Sequence, residues 1–368
     1  MTVRLRMVLD RAVSGEGPDV TAASSGLLAN LVATAPRGCE VVGIAPRPSS
    51  PEPGRADGLG DVWHAAVPRR ELAAAWRVGA TLGGAGGMIH SPTLMAPLVR
   101  HDRAHDHDQT VVTLWSLEAW TAPEQLQRSE VAWQRAMLKR AVRFADAVVV
   151  PTHAMAAELD EIASLRGRIR VIAGAAAEGF RVPADAAGRA RTLALPERYV
   201  VALGRAADRE GLGGAFRAAA AADLDVVVFC AQEEHVVRLV DEAIAAGVSK
   251  GRIHTPVALD APDRAAALGG SVAVIAASAA PAFPWRALET LAVGAPLIAA
   301  RTSQNEELFA DGAQLVDVGD SDAIGESLRR LVEDESFAAR QRVLSADRAR
   351  AFTWRDAAER VWQLHAEL

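Results

Sequence analysis

Short runs of aliphatic and β-branched residues alternate with helical stretches along most of the chain, and this alternation limits the fold more than any other feature. Strands that alternate with helices build βαβ units around a parallel sheet. In the first half the pattern predicts six strands, at 4–9, 40–45, 87–90, 110–114, 147–150 and 170–172. It predicts three helices, at 22–33, 123–144 and 153–162. The stretch 47–60, rich in Pro, Gly and Ser, is predicted to be a surface loop.

A second series of the same kind begins near residue 199. It predicts six strands, at 199–203, 225–229, 252–257, 273–276, 296–300 and 314–316. It predicts four helices, at 213–222, 233–246, 285–293 and 321–332. Between the two series the periodicity fades, and Pro183, Gly188 and Pro196 interrupt the chain.

The two series predict two Rossmann-like, doubly wound α/β domains, 1–178 and 199–350, joined by a linker at 179–198. Ligands of such sheets bind outside the carboxyl ends of the strands, so a cleft between the domains is expected. The last segment, 351–368, is expected to pack back towards the first domain through an amphipathic helix. The apolar face of that helix contains Ala358, Val361, Trp362 and His365.

Length, composition and charge exclude some classes of protein. The 368 residues are enough for two hydrophobic cores, and no apolar run approaches the roughly 20 residues of a membrane-spanning helix. The N-terminus lacks the features of a signal peptide, so a cytoplasmic protein is expected. The net charge of −6 argues against a nucleic-acid-binding protein, because such proteins need a basic face to release counterions from phosphates.

Two smaller groups of residues point away from disulfide and metal chemistry. Cys39 and Cys230 belong to different predicted domains, which favours reduced thiols. The segment 101–108 combines imidazole and carboxylate groups, but it lacks the fixed spacing of a tetrahedral metal site. We therefore expect a solvated loop there and no bound metal.

The segment 278–320 contains several residues at characteristic spacing. The residues at these spacings are Ser278, Phe283, Glu289, the Ala292–Gly294–Pro296 turn and Glu307. This arrangement resembles the donor-binding region of retaining glycosyltransferases of family 4. Upstream, Gly204 and Arg205, followed by Arg209 and Gly211, resemble the Gly-Arg and Arg-Lys-Gly elements with which that family binds phosphate.

The resemblance implies the GT-B architecture, in which two Rossmann-like domains with parallel sheets face each other across a cleft. It implies transfer of a hexose from a nucleotide sugar to a carbohydrate or lipid-linked acceptor, with retention of configuration. It also implies that neither a metal nor a cofactor beyond the donor is required. Such an enzyme would serve carbohydrate or cell-envelope biosynthesis in a bacterium.

The chemistry of the reaction assigns roles to particular residues. Cleavage of a sugar–phosphate bond places negative charge on the leaving diphosphate, so the site needs cations and N–H donors there. Arg205, at a predicted strand end, and Arg209 are candidates, and the resemblance gives Glu289 the ribose hydroxyls. We expect Arg205 and Glu289 to be catalytic. Further predicted contacts are Ser278, Phe283, Asn305 and Glu307 in the donor region, and Gly15, Gly17, Trp115 and Ser116 in the first domain.

Several positions depart from the family pattern. Pro281 stands in place of the first Glu of the family pair, and Ala282 and Pro284 replace its two flanking glycines. Glu210 replaces the phosphate-binding Lys, and Trp115 and Ser116 replace the His-Asp of the first domain. These changes leave open a degenerate protein that binds a nucleotide, a sugar or a partner enzyme without turnover. A nucleotide-sugar epimerase of similar shape fits less well, because Glu289 and the turn that follows it match the transferases.

Ordinary structural roles compete with the functional ones. Arg205 could pair with Asp208 or Glu210 at the surface. Glu289 could be a first-turn acid that stabilises the helix dipole. Trp115 could be a core aromatic rather than a stacking platform for a sugar.

Several cations lie on the predicted helix 123–144, among them Arg135, Lys139, Arg140 and Arg143. In relatives that act on lipid acceptors such cations contact anionic membrane, so the resemblance implies peripheral contact at the inner face of the membrane. A solvated helix face is the alternative.

Overall fold

The computed structural model describes residues 2–9, 17–47, 58–102, 105, 107–204, 209–229, 236–257, 259–279 and 282–368, with the backbone alone at 17–18 and 209–211. The chain divides into two compact units. The first contains Met1–Ala175, Pro281–Phe283 and Thr353–Leu368, and the second contains Ala176–Ala280 and Pro284–Phe352. Both are Rossmann-like, which confirms the predicted fold class.

The first unit is built on a seven-stranded parallel sheet with the order β3-β2-β1-β4-β5-β6-β7. Its strands are β1 Val3–Val8, β2 Cys39–Ala45, β3 Val62–His64, β4 Met88–Ser91, β5 Gln109–Thr113, β6 Ala147–Val150 and β7 Ile169–Val171. Its helices are α1 Gly17–Ala33, α2 Arg69–Val78, α3 Glu118–Thr121, α4 Arg128–Phe144, α5 His153–Ile162 and, at the end of the chain, α14 Trp354–Glu367. β5 and β6 are buried along their whole length, as expected for strands of a parallel sheet covered by helices.

The second unit is built on a six-stranded sheet with the order β10-β9-β8-β11-β12-β13, again entirely parallel. Its strands are β8 Tyr199–Ala202, β9 Asp225–Val228, β10 Ile253–His254, β11 Ala273–Ala276, β12 Leu297–Ala300 and β13 Gln314–Val316. Its helices are α6 Ala186–Thr192, α7 Arg209–Ala221, α8 Val236–Ala245, α9 Ala261–Gly270, α10 Trp285–Ala292, α11 Ser303–Phe309, α12 Ser321–Glu333 and α13 Glu335–Ala349. The strand order reverses between β8 and β11, and this switch point is where doubly wound sheets bind ligands.

A glycine at the end of β8 allows close packing at the switch point. A Cβ atom on Gly204 would lie 2.9 Å from Cγ of Leu212, a buried residue of α7. Only glycine therefore lets α7 approach the strand end this closely without displacing Leu212.

The predicted elements need four corrections. The helix predicted at 123–144 is broken, because Leu126 and Gln127 have extended backbones between a 3-10 turn and α4. The strand predicted at 252–257 shrinks to β10, and β3 and five helices outside the expected linker were missed, namely α2, α3, α9, α11 and α13. The segment expected as the linker, 179–198, contains α6 and belongs to the second unit, while the units divide after Ala175.

The last helix belongs to the first unit, where it packs against α1. Trp362 Nε1 donates to the Leu31 carbonyl at 3.1 Å, and the predicted apolar face of α14 is buried. No helix that the structure describes is long and apolar enough to cross a membrane. Of the two cysteines, Cys39 is a free thiol, and Cys230 lies outside the described residues.

Candidate active site

In the second unit, one predicted donor contact and two other residues lie at the carboxyl edge of the sheet. Gly204 follows β8, Ser278 follows β11 and Thr302 follows β12. Arg205 lies outside the described residues, as does Pro281. Arg209 is the first residue of α7, but its side chain and that of Glu210 also lie outside the described part.

Helix α10 begins at this edge and is held in the interior of the unit. Its N-cap is Pro284, which has no side chain to accept a hydrogen bond from the first turn. Residues 287–291 are all buried. The positive end of the helix dipole therefore lies at the strand edge without a side-chain cap from Pro284.

Glu289 is buried and paired with two arginines. Its side chain is only 5% exposed, and Arg264 binds it through two contacts, Nη2 to Oε1 at 2.8 Å and Nε to Oε2 at 3.2 Å. Arg286, one turn earlier on α10, lies 2.8 Å from Oε1 through Nη1. Such charge-assisted contacts compensate the desolvation of the carboxylate. Glu289 is the fifth residue of α10, so it does not lie in the first turn of the helix.

Arg264 is itself fixed from two sides. Its Nη1 donates to the Leu259 carbonyl at 3.0 Å, and its guanidinium carbon lies 5.9 Å from the centroid of the Phe180 ring. Arg264 lies on α9, which the sequence pattern did not predict, so no local signal connected it with Glu289.

The other predicted donor contacts in this unit have mixed environments. The Ser278 hydroxyl is buried, and none of the described residues hydrogen-bonds to it. Asn305 supports the strand end instead, because its Nδ2 donates to the Ala300 carbonyl at 2.9 Å. Glu307 is half-buried on α11, and its main-chain carbonyl accepts from Arg348 at 2.6 Å.

Phe283 and Trp115 lie together in the first unit. The Phe283 amide donates to the Trp115 carbonyl at 3.0 Å, and their ring centroids are 5.5 Å apart. Trp115 is 8% exposed, its Nε1 donates to the Pro92 carbonyl, and Trp354 packs against it. This packing favours a core role for Trp115 over a stacking platform.

Ser116 contacts a buried acid. Its hydroxyl donates to Glu118 Oε2 at 3.1 Å and accepts from the Glu118 amide at 3.1 Å. A carboxylate therefore lies close to the position where the family has its Asp. Of the two loop glycines, Gly17 begins α1, whereas Gly15 lies outside the described residues.

Two family models match the chain. The model described as glycosyl transferases group 1 matches residues 186–348, and the model described as glycosyltransferase family 4 matches residues 27–175. The chain belongs to the family 4 type of GT-B glycosyltransferases. No sequence among the curated proteins is significantly similar to this glycosyltransferase.

Solved structures of similar fold span the whole chain. A sucrose-phosphate synthase from Thermosynechococcus elongatus is 19% identical, with a TM-score of 0.71 over 99% of this chain and 98% of the other. HepE of Anabaena, in complex with UDP and glucose, is 16% identical, with a TM-score of 0.69 over 100% of both chains. A UDP-forming α,α-trehalose-phosphate synthase from Burkholderia xenovorans, in complex with glucose-6-phosphate, is 13% identical, with a TM-score of 0.65 over 100% of both. At these identities the likeness establishes the fold.

The four cations of α4 that were predicted to contact a membrane have different environments in this glycosyltransferase. Arg135, Lys139 and Arg143 are exposed along one face of the helix. Arg140 is half-buried, donates to the Leu98 carbonyl and lies 5.1 Å from the centroid of the Phe144 ring. Arg140 is therefore a structural residue, and Arg135, although exposed, donates through Nε to the Ala119 carbonyl at 2.8 Å.

The described residues contain no cluster of three or more His, Cys, Asp or Glu that could hold a metal ion. Within 101–108, His101 Nε2 lies 2.8 Å from Asp146 Oδ2, and His105 Nδ1 lies 2.8 Å from Asp102 Oδ2. The hydrogen bond to Asp146 raises the pKa of His101. These histidines are engaged in local pairs.

Proposed function

We propose that this glycosyltransferase transfers a hexose from a nucleoside diphosphate donor to a carbohydrate or lipid-linked acceptor, with retention and without a metal ion. The observation that carries the proposal is the buried Glu289, held by two arginines on the helix that begins at the switch-point edge. Its carboxylate accepts a hydrogen bond from the donor ribose. No cofactor beyond the donor takes part, and the protein works in the cytoplasm.

The donor is a uridine diphosphate sugar. Support comes from proteins of the same fold: HepE contains UDP and glucose, and the trehalose-phosphate synthase is described as UDP-forming. The glucose-6-phosphate of the latter supports a carbohydrate acceptor.

The reaction needs electrostatic stabilisation more than a protein nucleophile. As the bond between the sugar C1 and the diphosphate oxygen breaks, the acceptor oxygen bonds to C1 on the same face, and the acceptor proton passes to the departing phosphate. Arg205 and the N-terminus of α10 stabilise the charge on the leaving group. The replacement of the family's first Glu by Pro281 is compatible with this route.

Thermal melting with UDP, GDP and ADP tests the proposal. A ligand that binds only the folded protein raises its melting temperature, through the term RT ln(1 + [L]/Kd) in stability. We expect a shift with UDP, and roughly tenfold weaker binding in Arg205→Ala, because one charge-assisted contact is lost. No shift with any nucleotide at millimolar concentration contradicts the proposal, and equal affinity in Arg205→Ala removes Arg205 from the site.

A catalytically degenerate binder is the second candidate, favoured by Glu210 and Pro281. In that case the wild type binds nucleotide weakly and hydrolyses no donor. The double variant Glu210→Lys/Pro281→Glu then tightens diphosphate binding and restores hydrolysis, since a cation replaces an anion near the phosphates. If the wild type does not hydrolyse the donor and the double variant does, the result supports the degenerate binder over the active enzyme.

We also propose that Arg135, Lys139 and Arg143 contact an anionic membrane surface when the acceptor is lipid-linked. Each Lys or Arg close to such a surface contributes about 1 kcal/mol of favourable binding free energy. Flotation with vesicles that contain anionic lipid tests this, with neutral vesicles and the triple alanine variant as controls. Equal flotation of the wild type and the triple variant contradicts it.

A further inference from the structure

The buried carboxylate of Glu289 is oriented from a neighbouring helix. Arg264 on α9 contacts both of its oxygens, whereas Arg286 on α10 lies 2.8 Å from Oε1. Arg264 is also the more buried of the two arginines, with 18% of its side chain exposed against 26%. A planar guanidinium that binds both oxygens fixes the plane of the carboxylate, which a single contact does not.

The two arginines use most of the accepting capacity of Glu289. A carboxylate offers about four lone-pair positions, two on each oxygen. On Oε1 both are taken, by Arg264 Nη2 and Arg286 Nη1, and on Oε2 one is taken by Arg264 Nε. Among the contacts that the described residues make, one accepting position remains, on Oε2.

We propose that Arg264 is a positioning residue that aims this remaining position at one ribose hydroxyl of the donor nucleotide. The inference rests on the proposed function, in which Glu289 binds the ribose. The Leu259 carbonyl and the Phe180 ring hold Arg264 in place, so the direction of Oε2 is set before the nucleotide arrives. Such preorganisation makes the site select a ribonucleotide over an analogue that lacks the hydroxyl.

The test compares UDP with 2′-deoxy-UDP and 3′-deoxy-UDP by calorimetric titration. We expect the wild type to bind one of the two analogues at least about tenfold more weakly than UDP, because a buried acceptor is then left unpaired. In Arg264→Lys a single ammonium replaces the two-point contact, so UDP binds no more tightly than that analogue. Loss of discrimination with unchanged affinity for the analogue is a result that general loosening of the fold does not produce.

Arg189→Lys is the matched control. Arg189 links α6 to the same helix α9 through Asp263, at 2.7 Å from Nη1 to Oδ1, and makes no contact with Glu289 in the structure. We expect this variant to keep wild-type discrimination. If Arg264→Lys does not fold, Arg264→Gln serves instead, since its amide can donate to only one carboxylate oxygen, and the same loss is expected.

Two results overturn the inference while leaving the proposed function in place. One is a wild type that binds UDP and both analogues equally, and the other is an Arg264→Lys variant that keeps the wild-type ratio of affinities. A wild type that binds no nucleotide at all overturns the proposed function and this inference with it.

Discussion

Each unit of the molecule buries a polar cluster, and the two clusters differ in charge and in pairing. In the second unit Arg264, Glu289 and Arg286 are joined by contacts of 2.8 to 3.2 Å. In the first unit the rings of His90 and His365 lie 5.6 Å apart, and His365 Nδ1 lies 2.9 Å from Gln109 Oε1. None of the described residues hydrogen-bonds to either ring nitrogen of His90 or to Nε2 of His365.

The difference separates the proposed donor-recognition site from a neutral contact between a helix and a sheet. Burial lowers the pKa of His90, on β4, well below its usual value and the pKa of His365, on α14, to about 4. Both rings therefore stay neutral. A neutral imidazole costs less to bury than a charged one, although ring nitrogens without a hydrogen bond still carry a desolvation cost. The charged cluster lies at the strand edge where a ligand is expected, and its charges are retained because each has a partner.

Removal of the central carboxylate breaks the charged cluster and has the largest expected effect. Glu289→Ala leaves two largely buried guanidinium groups without their partner, so we expect the free energy of unfolding to fall by about 3 to 5 kcal/mol. Urea unfolding measures this loss. Glu326→Ala is the control, because Glu326 pairs with Arg329 on the exposed face of α12 in the same unit. An equal loss in the two variants contradicts the distinction between buried and exposed pairs.

Acidification breaks the neutral cluster. Above pH 6.5 His365 is neutral in both the folded and the unfolded chain, so its environment has its full stabilising effect. As the pH falls from 6.5 towards 4, the unfolded state binds a proton that the folded state does not, and about 3 kcal/mol is lost for His365. His90 acts in the same direction, and Asp146 opposes the shift of His365 only in part.

Unfolding free energies between pH 5 and 7 for the wild type and His365→Gln measure this dependence. We expect a shallower slope in the variant, which lacks one of the two buried imidazoles. If the unfolding free energy depends on pH with the same slope in both proteins, His365 is not the buried neutral imidazole described here.

The sequence predicted the sheets well and the clusters poorly, for a physical reason. The strands Ala147–Val150, Ala273–Ala276 and Gln314–Val316 were predicted to the residue, because short apolar runs bounded by turn residues identify strands of a covered sheet. Glu289 was placed on the correct helix by its spacing. Its partner Arg264, 25 residues away, and the partner of His365, 256 residues away, depend on tertiary packing that no local period encodes.

A substitution outside both clusters tests whether nucleotide recognition depends on the overall stability of the fold. Gly204→Ala places a Cβ 2.9 Å from Leu212 Cγ, and overpacking of this kind costs about 1 to 3 kcal/mol. We expect the melting temperature to fall while the ratio of affinities for UDP and its deoxy analogues stays unchanged. A changed ratio means that recognition follows general stability.

The smallest effect is expected for the outer arginine of the charged cluster. Arg286→Gln removes one contact to Oε1, but Arg264 still holds both oxygens of Glu289. Because Arg286 is partly exposed, we expect a loss of about 1 kcal/mol in unfolding free energy. A loss as large as that of Glu289→Ala contradicts the central position given to Arg264.

Donor hydrolysis by the wild type and Glu289→Gln, measured with a series of UDP-sugars, tests the central claim most directly. Glutamine keeps the size of the side chain but loses the charge that the two arginines and the ribose recognise. The account predicts turnover by the wild type and a value of kcat/KM about 100-fold lower in the variant, equivalent to about 2.7 kcal/mol of transition-state stabilisation. Equal turnover by the two proteins contradicts the role of Glu289, and a wild type that is silent with every donor contradicts the enzyme.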